Sequence, residues 1–207
     1  GKSVEIKYED TLLDPQKALS AYNKLVTGEK VNILVGPVSS SEAYALRDKV
    51  NNDKILLINA NAAADDLSWE KKSDFVYRVG ISNWQNGHAA AEYIAKNIGK
   101  KAVTISADYA AGHETIAAFK AAFEAAGGEV IEEIYTELGN IDYAVYMTKI
   151  NKLKPDLVFV FLAGSDAINF VKIYESFGLK GNIPLTGTRE FGDVLVTEPT
   201  KEAAEGI

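Results

Sequence analysis

Three serines in a row, Ser39, Ser40 and Ser41, follow an apolar run and a Gly36-Pro37 turn, and Ser39 stands three residues before Glu42. That spacing is a helix-capping box, in which the serine hydroxyl and the glutamate carboxylate each satisfy an otherwise unpaired backbone N–H. A helix start carries unpaired N–H groups and a partial positive charge, so such a turn suits a carboxylate or phosphate on a small ligand. The same pattern also serves as an ordinary strand-to-helix connection. About twenty residues later, Ile55-Leu-Leu-Ile-Asn-Ala-Asn-Ala-Ala-Ala64 again reads as a buried strand that ends in small and polar residues.

Other chemistry is thinly represented. The two histidines, His88 and His113, each fall in an early helical turn and read as capping or surface groups rather than metal or acid–base groups. Asp65-Asp66 and Glu132-Glu133 are adjacent pairs that point to different faces, so they read as solvated charges. No cysteine is present, which excludes a disulfide framework, a Cys-ligated metal and a Cys nucleophile. Neither a Gly-x-Ser-x-Gly elbow nor a Gly-x-Gly-x-x-Gly turn after a strand occurs. No metal, cofactor or catalytic residue is expected. A net charge of −7 argues against a nucleic-acid partner, which would require a basic stripe. No apolar run approaches the roughly 18 to 20 residues of a membrane span.

The elements that would position the serines alternate between strand and helix. Val4–Tyr8 alternates as an edge strand, and Asp14-Pro15 reads as an N-cap followed by proline at the first helical position. A helix to about Val26 follows, with Ala18, Tyr22, Leu25 and Val26 on one face. Strand 31–36, helix 40–51 and strand 54–59 complete a βαβαβ series, and Phe75–Gly80 adds a strand. Asn83 then caps a helix in which Ala91, Ile94, Ala95 and Ile98 share a face, and the pattern restarts. Strand 102–106, helix 112–126, strand 130–134, helix 142–153, strand 157–161, helix 166–177 and strand 183–186 follow. Two successive α/β series predict two doubly wound, parallel-sheet lobes, 1–82 and 83–207, with a ligand cleft lined by the carboxyl ends of the strands. Lobe one is short of elements for a stable doubly wound unit, and the chain opens on Gly1 rather than methionine, so a fragment is expected.

The ordered segments Gly36-Pro-Val-Ser-Ser-Ser41, Ile58-Asn-Ala-Asn-Ala-Ala63, Tyr77-Arg-Val79, Asp108-Tyr-Ala-Ala-Gly112 and Ala203-Ala-Glu-Gly206 resemble the type I periplasmic solute-binding proteins. The branch they are most similar to binds leucine, isoleucine and valine for ABC importers, and the resemblance covers essentially all 207 residues. It implies a lobe one that lacks its opening strand and helix, and a chain that lacks everything after the Ala-Glu-Gly segment. It also implies a periplasmic protein, or a lipid-anchored extracellular one in a single-membrane bacterium. Such a protein is a monomer when full length and hands its solute to an inner-membrane ABC permease.

Carried over by position, the ligand carboxylate is expected at Ser39, Ser40, Ala62 and Ala63, with the positive end of helix 40–51 aimed at the same place. Both lobes depart from the amino-acid pattern. Ala111 precedes Gly112 where tyrosine is usual, Ala63 replaces a serine or threonine, and Gly164-Ser165 stands where a tyrosine is expected. The group that pairs with an α-ammonium falls among Thr188, Arg189 and Glu190. Smaller residues widen the cleft, which admits a bulkier aromatic or aliphatic acid beside the branched-chain amino acids. Arg189 would favour such an acid and Glu190 an amine. Trp84 and Tyr109 follow strand ends and either stack on the ligand or pack in the core. A ligand-sensing domain of a receptor or regulator with the same fold is the alternative role. An α/β enzyme would need a nucleophile or base that the residues do not supply.

Overall fold

The structure, a computed structural model, describes residues 3–207. It divides into two units, Gly1–Ser82 and Asn83–Ile207, each built on its own parallel sheet. In the first unit, α1 (Pro15–Tyr22) starts at Asp14, whose carboxylate accepts the N–H groups of Gln16 at 2.7 Å and Lys17 at 3.1 Å. A π-helical stretch, Asn23–Gly28, replaces the expected end of this helix, so Ala18 and Tyr22 are buried but Leu25 and Val26 only half so. The unit continues through β1 (Ile33–Val35), α2 (Ser40–Asp53), β2 (Leu56–Asn59) and β3 (Val76–Arg78). The sheet order is β1-β2-β3, with Ile33 opposite Leu56 and Leu57 opposite Val76. Ala43, Leu46 and Val50 of α2 pack against Ala18, Tyr22 and Leu57, as helical spacing requires.

One expected strand is absent. Val4–Tyr8 has no regular structure, and Val4, Ile6 and Tyr8 are exposed. Alternation can mark which face a strand would bury, but a strand needs a neighbour for its peptide groups, and none of the described residues pairs with this segment. An apolar cavity of ≈ 400 Å³ in this unit is lined by Leu12, Ala18, Tyr22, Leu34, Leu46 and Leu57 among others. Ser39, Ser40, Ala62 and Ala63 are not among its lining residues.

The second unit contains α3 (Asn83–His88), α4 (Ala91–Asn97), β4 (Lys101–Ala107), α5 (Ala110–Ala125), β5 (Glu129–Thr136), α6 (Ala144–Leu153), β6 (Leu157–Phe161), α7 (Gly164–Ser176), β7 (Leu185–Gly187) and α8 (Val194–Thr200). The one helix expected after Asn83 is therefore two, interrupted at Ala89–Ala90, and Asn83 is the first helical residue rather than a cap. Ala91, Ile94 and Ala95 are buried as expected, but Ile98 falls just beyond the helix and is 37% exposed. Consequently His88 closes α3 instead of lying early in a helix.

The sheet runs β5-β4-β6-β7, all parallel. Helices cover both faces, so β6 is apolar on both, whereas β4 turns the buried Thr104 and Ser106 to one of them. Val103, Ile105, Val158 and Val160 pack on one side with Met147, Phe170 and Tyr174. Leu157, Phe159 and Phe161 pack on the other with Ile116, Phe119 and Phe123. The Phe119 ring lies 3.7 Å from Phe159 and 5.1 Å from Phe123, centroid to centroid. Gly87 permits α3 to press on α5, since a Cβ there would run into the Thr115 carbonyl oxygen.

Two substitutions test this packing. Phe119→Ala should cost about 3–5 kcal/mol, against under about 0.5 for Phe177→Ala at an exposed helix end. Gly87→Ala should cost about 1–3 kcal/mol by prising α3 from α5. Urea unfolding read from Trp84 fluorescence in a Trp69→Phe background reports the second unit, and equal midpoints for all of these proteins would contradict the packing.

Candidate functional site

Parallel strands end at a common sheet edge, so the loops after β1 and β2 emerge side by side. Gly36 donates its N–H to the Ile58 carbonyl at 3.1 Å, extending the strand pairing into the turn, and its φ of +125° suits only glycine. Ser39 is the N-cap of α2 with extended dihedrals, and the capping box with Glu42 is present. The Ser39 N–H donates to Glu42 Oε2 at 3.2 Å, and Glu42 is completely buried. That carboxylate already draws on the positive end of α2.

The loop after β2 is tied to this turn. Ala62 donates its N–H to the Pro37 carbonyl at 3.2 Å, and Asn61 Nδ2 reaches the Val38 carbonyl at 3.4 Å. Two further side chains shape the loop. Asn59 Nδ2 donates to the Ala62 carbonyl at 2.7 Å, and Arg78 Nη1 donates to the carbonyls of Ala63 and Ala64, each at 2.9 Å. Arg78 Nη2 holds the Ser68 hydroxyl at 2.7 Å. The first unit therefore gathers Ser39, Ser40, Ala62 and Ala63 at one sheet edge. Ser39, Ser40 and Ala62 are buried and Ala63 is half-buried.

In the second unit, the equivalent edge carries Tyr109 as N-cap of α5, Ala111 in its first turn, Ser165 near the start of α7 and Thr188–Glu190 after β7. The Tyr109 ring is parallel to Phe161 at 6.2 Å and packs against both core clusters. Burial first, then the charges of Glu190 and Asp166, push its phenol up to about 12. Ala111 is buried, whereas Ser165 is exposed and its hydroxyl lies 3.4 Å from Asp166 Oδ1. Asp166 itself is buried and accepts the Gly139 N–H at 2.9 Å.

Arg189 and Glu190 are partners. Arg189 Nε donates to Glu190 Oε1 at 2.7 Å, and Asn86 Nδ2 of α3 donates to Oε2 at 2.8 Å. Burial alone would raise the Glu190 carboxyl, but these hydrogen bonds outweigh it and hold the group below its ordinary value. Trp84 is 40% exposed, and its ring stacks on His88 at 4.3 Å. His113 lies 2.7 Å from Asp108 Oδ1 and stacks on Tyr135, and no group of three metal-ligating side chains occurs among the described residues.

Sequence reasoning did not single out Asn59, Arg78 or Asn86. Asn59 and Arg78 leave a signal, a polar residue closing an otherwise apolar strand. Asn86 leaves none, because its partner is distant in the chain.

No helix among the described residues is long and apolar enough to cross a membrane. The chain is 31% identical over 182 residues to Leu/Ile/Val-binding protein homolog 6 of Brucella melitensis, covering 87% of this chain and 46% of that protein. Against the solute-binding protein of an ABC transporter from Rhodopseudomonas palustris, solved with benzoate, the TM-score is 0.94 at 34% identity, over 100% of this chain and 57% of that one. A second protein, from Rhodopseudomonas palustris BisB5 with 3,4-dihydroxybenzoic acid, gives 0.90 at 29% identity, over 98% and 56%. The chain thus spans about half the length of these relatives. Two parallel α/β units with small and polar strand ends agree with the match of all residues 1–207 to one family model, and the chain belongs to the Periplasmic binding protein family.

Proposed function

We propose that this chain is part of the solute-binding component of an ABC importer, working in the periplasm and delivering a carboxylate-bearing solute to an inner-membrane permease. The observation that carries the reading is the junction of the α2 start with the loop after β2, made by the Ala62–Pro37 hydrogen bond. It sets serine hydroxyls and loop N–H groups together, the donor set that a carboxylate requires. Ser39, Ser40, Ala62 and Ala63 take the carboxylate, while Trp84, Tyr109, Ala111, Ser165 and Arg189 serve the body of the solute.

An aromatic acid is the favoured solute. Proteins of the same fold at 34% and 29% identity were solved with benzoate and 3,4-dihydroxybenzoic acid, and Ala63 and Ala111 are smaller than the residues that the amino-acid pattern carries there. A branched-chain amino acid is the second reading. It is favoured by Glu190, a half-buried carboxylate that hydrogen bonds hold below its ordinary value and so ionised, as the partner of an ammonium must be.

Calorimetry on the full-length protein separates the two. Ser40→Ala together with Arg189→Ala should weaken benzoate binding by about 1–3 kcal/mol, and unchanged affinity would remove those residues from the site. On the second reading, Glu190→Gln should weaken leucine at least about tenfold and spare benzoate. Because Glu190 is held below its ordinary value, it keeps its charge as the pH falls from about 7 to 5, so leucine affinity should stay flat there. A loss of leucine affinity across that interval would assign the ammonium to another group.

A further inference from the structure

We infer that Asn86 is a positioning residue for Glu190: from α3 it fixes one oxygen of that carboxylate and so sets how Glu190 meets an ammonium on the solute. The inference rests on the reading in which the solute is an amino acid whose ammonium pairs with Glu190.

The backbone around Glu190 is pinned, but its side chain is not pinned by the backbone. In the turn after β7, Thr188 donates its N–H to the Val160 carbonyl at 3.1 Å, and Phe191 donates to the Thr188 carbonyl at 3.1 Å. Phe191 is completely buried, with its ring edge-on to Phe170 at 6.1 Å. These contacts fix where Glu190 leaves the chain. They leave open which rotamer its long side chain adopts, so the direction of the carboxylate depends on what holds its oxygens.

Arg189 and Asn86 hold it unequally. Arg189 is the preceding residue, and its side chain, 66% exposed, donates from Nε to Oε1 at 2.7 Å. An exposed pair of this kind orients little, because water and side-chain freedom compete with it. Asn86 is half-buried and donates from Nδ2 to Oε2 at 2.8 Å across 104 residues of sequence. Its helix is anchored on α5 at two points. Asn83 Nδ2 donates to Glu114 Oε2 at 2.7 Å, and Gly87 packs so closely that a Cβ there would run into the Thr115 carbonyl oxygen. The Asn86 amide is therefore a fixed donor. It is also neutral, so it orients the carboxylate without cancelling the charge that an ammonium requires.

The electrostatics agree with this geometry. Burial raises the Glu190 carboxyl, and among the groups that bring it below its ordinary value Asn86 comes first, ahead of Arg189. Tyr109, at the start of α5, feels the same carboxylate: burial, then the charges of Glu190 and Asp166, push its phenol up to about 12, so it stays neutral between pH 5 and 7. Loss of the Asn86 amide should both free the Glu190 side chain to turn and let its carboxyl rise.

The test uses the full-length protein, with leucine as the probe. The Glu190 carboxyl carbon is titrated by NMR without ligand, leucine affinity is measured by calorimetry at pH 7 and pH 5, and melting temperatures are recorded for each protein. Asn86→Ala should titrate higher than wild type at Glu190 and bind leucine about tenfold more weakly. Asn86→Asp keeps the shape of the side chain but sets two carboxylates against each other, which should raise Glu190 further. Its leucine affinity should fall about tenfold between pH 7 and 5, whereas wild type stays flat. An Asn86 that merely holds α3 in place would lower the melting temperatures without moving the carboxyl titration or creating that pH dependence, and this result overturns the inference. If Glu190→Gln weakens leucine but Asn86→Ala binds it as wild type does, the inference also falls while the ammonium reading stands. If Glu190→Gln leaves leucine affinity unchanged, or wild type does not bind leucine, both fall together.

Discussion

In both sheets every strand runs parallel to its neighbours, so every strand ends at the same edge of its sheet and hands the chain to a loop or helix there. At that edge the ladder hydrogen bonds stop, and each peptide group must find another partner. The first unit supplies them with side chains. Glu42 takes one N–H of the serine turn, and Asn59 and Arg78 take three carbonyls of the next loop. What stays unpaired is a short row of N–H groups, and the chemistry proposed for this protein follows from their sign and direction.

The second unit answers the same constraint with the opposite charge. Its strand ends carry Asp166 and Glu190 beside Tyr109, with Arg189 bound to Glu190 rather than standing as an independent cation. An acceptor-rich edge suits a donor-bearing group, and a donor-rich edge suits a carboxylate. The aromatic core beneath this edge, centred on Phe119 and Phe159, holds β6, on whose last residue, Phe161, Tyr109 stacks. Stacked rings with no accessible surface leave little room for that strand to shift.

Reading the residues alone recovers the pieces whose cause is local. The α2 start follows from the Ser39–Glu42 spacing, the α1 start from Asp14-Pro15, and β6 from an uninterrupted apolar run. What it misses has a distant cause. Val4–Tyr8 alternates like a strand but has no partner to pair with, and the break between α3 and α4 leaves no proline or cap to mark it. Arg189 looks free to meet a carboxylate until Glu190 is seen to hold it, and Arg78 looks like a routine strand-end residue until the carbonyls it grips are located. Local sequence thus places the strand-end residues at the right edges, whereas the hydrogen bonds that aim them depend on loops folded from elsewhere in the chain.

The proposal to test is that a carboxylate sits on the donors of the first unit. The direct measurement is a crystal structure of the full-length protein with 4-bromobenzoate, in which the anomalous signal of bromine fixes the orientation of the ring. The proposal predicts carboxylate oxygens within about 3 Å of the Ala63 N–H and of a Ser39 or Ser40 hydroxyl. Bromine against Ser39, with the carboxylate away from these donors, would contradict it.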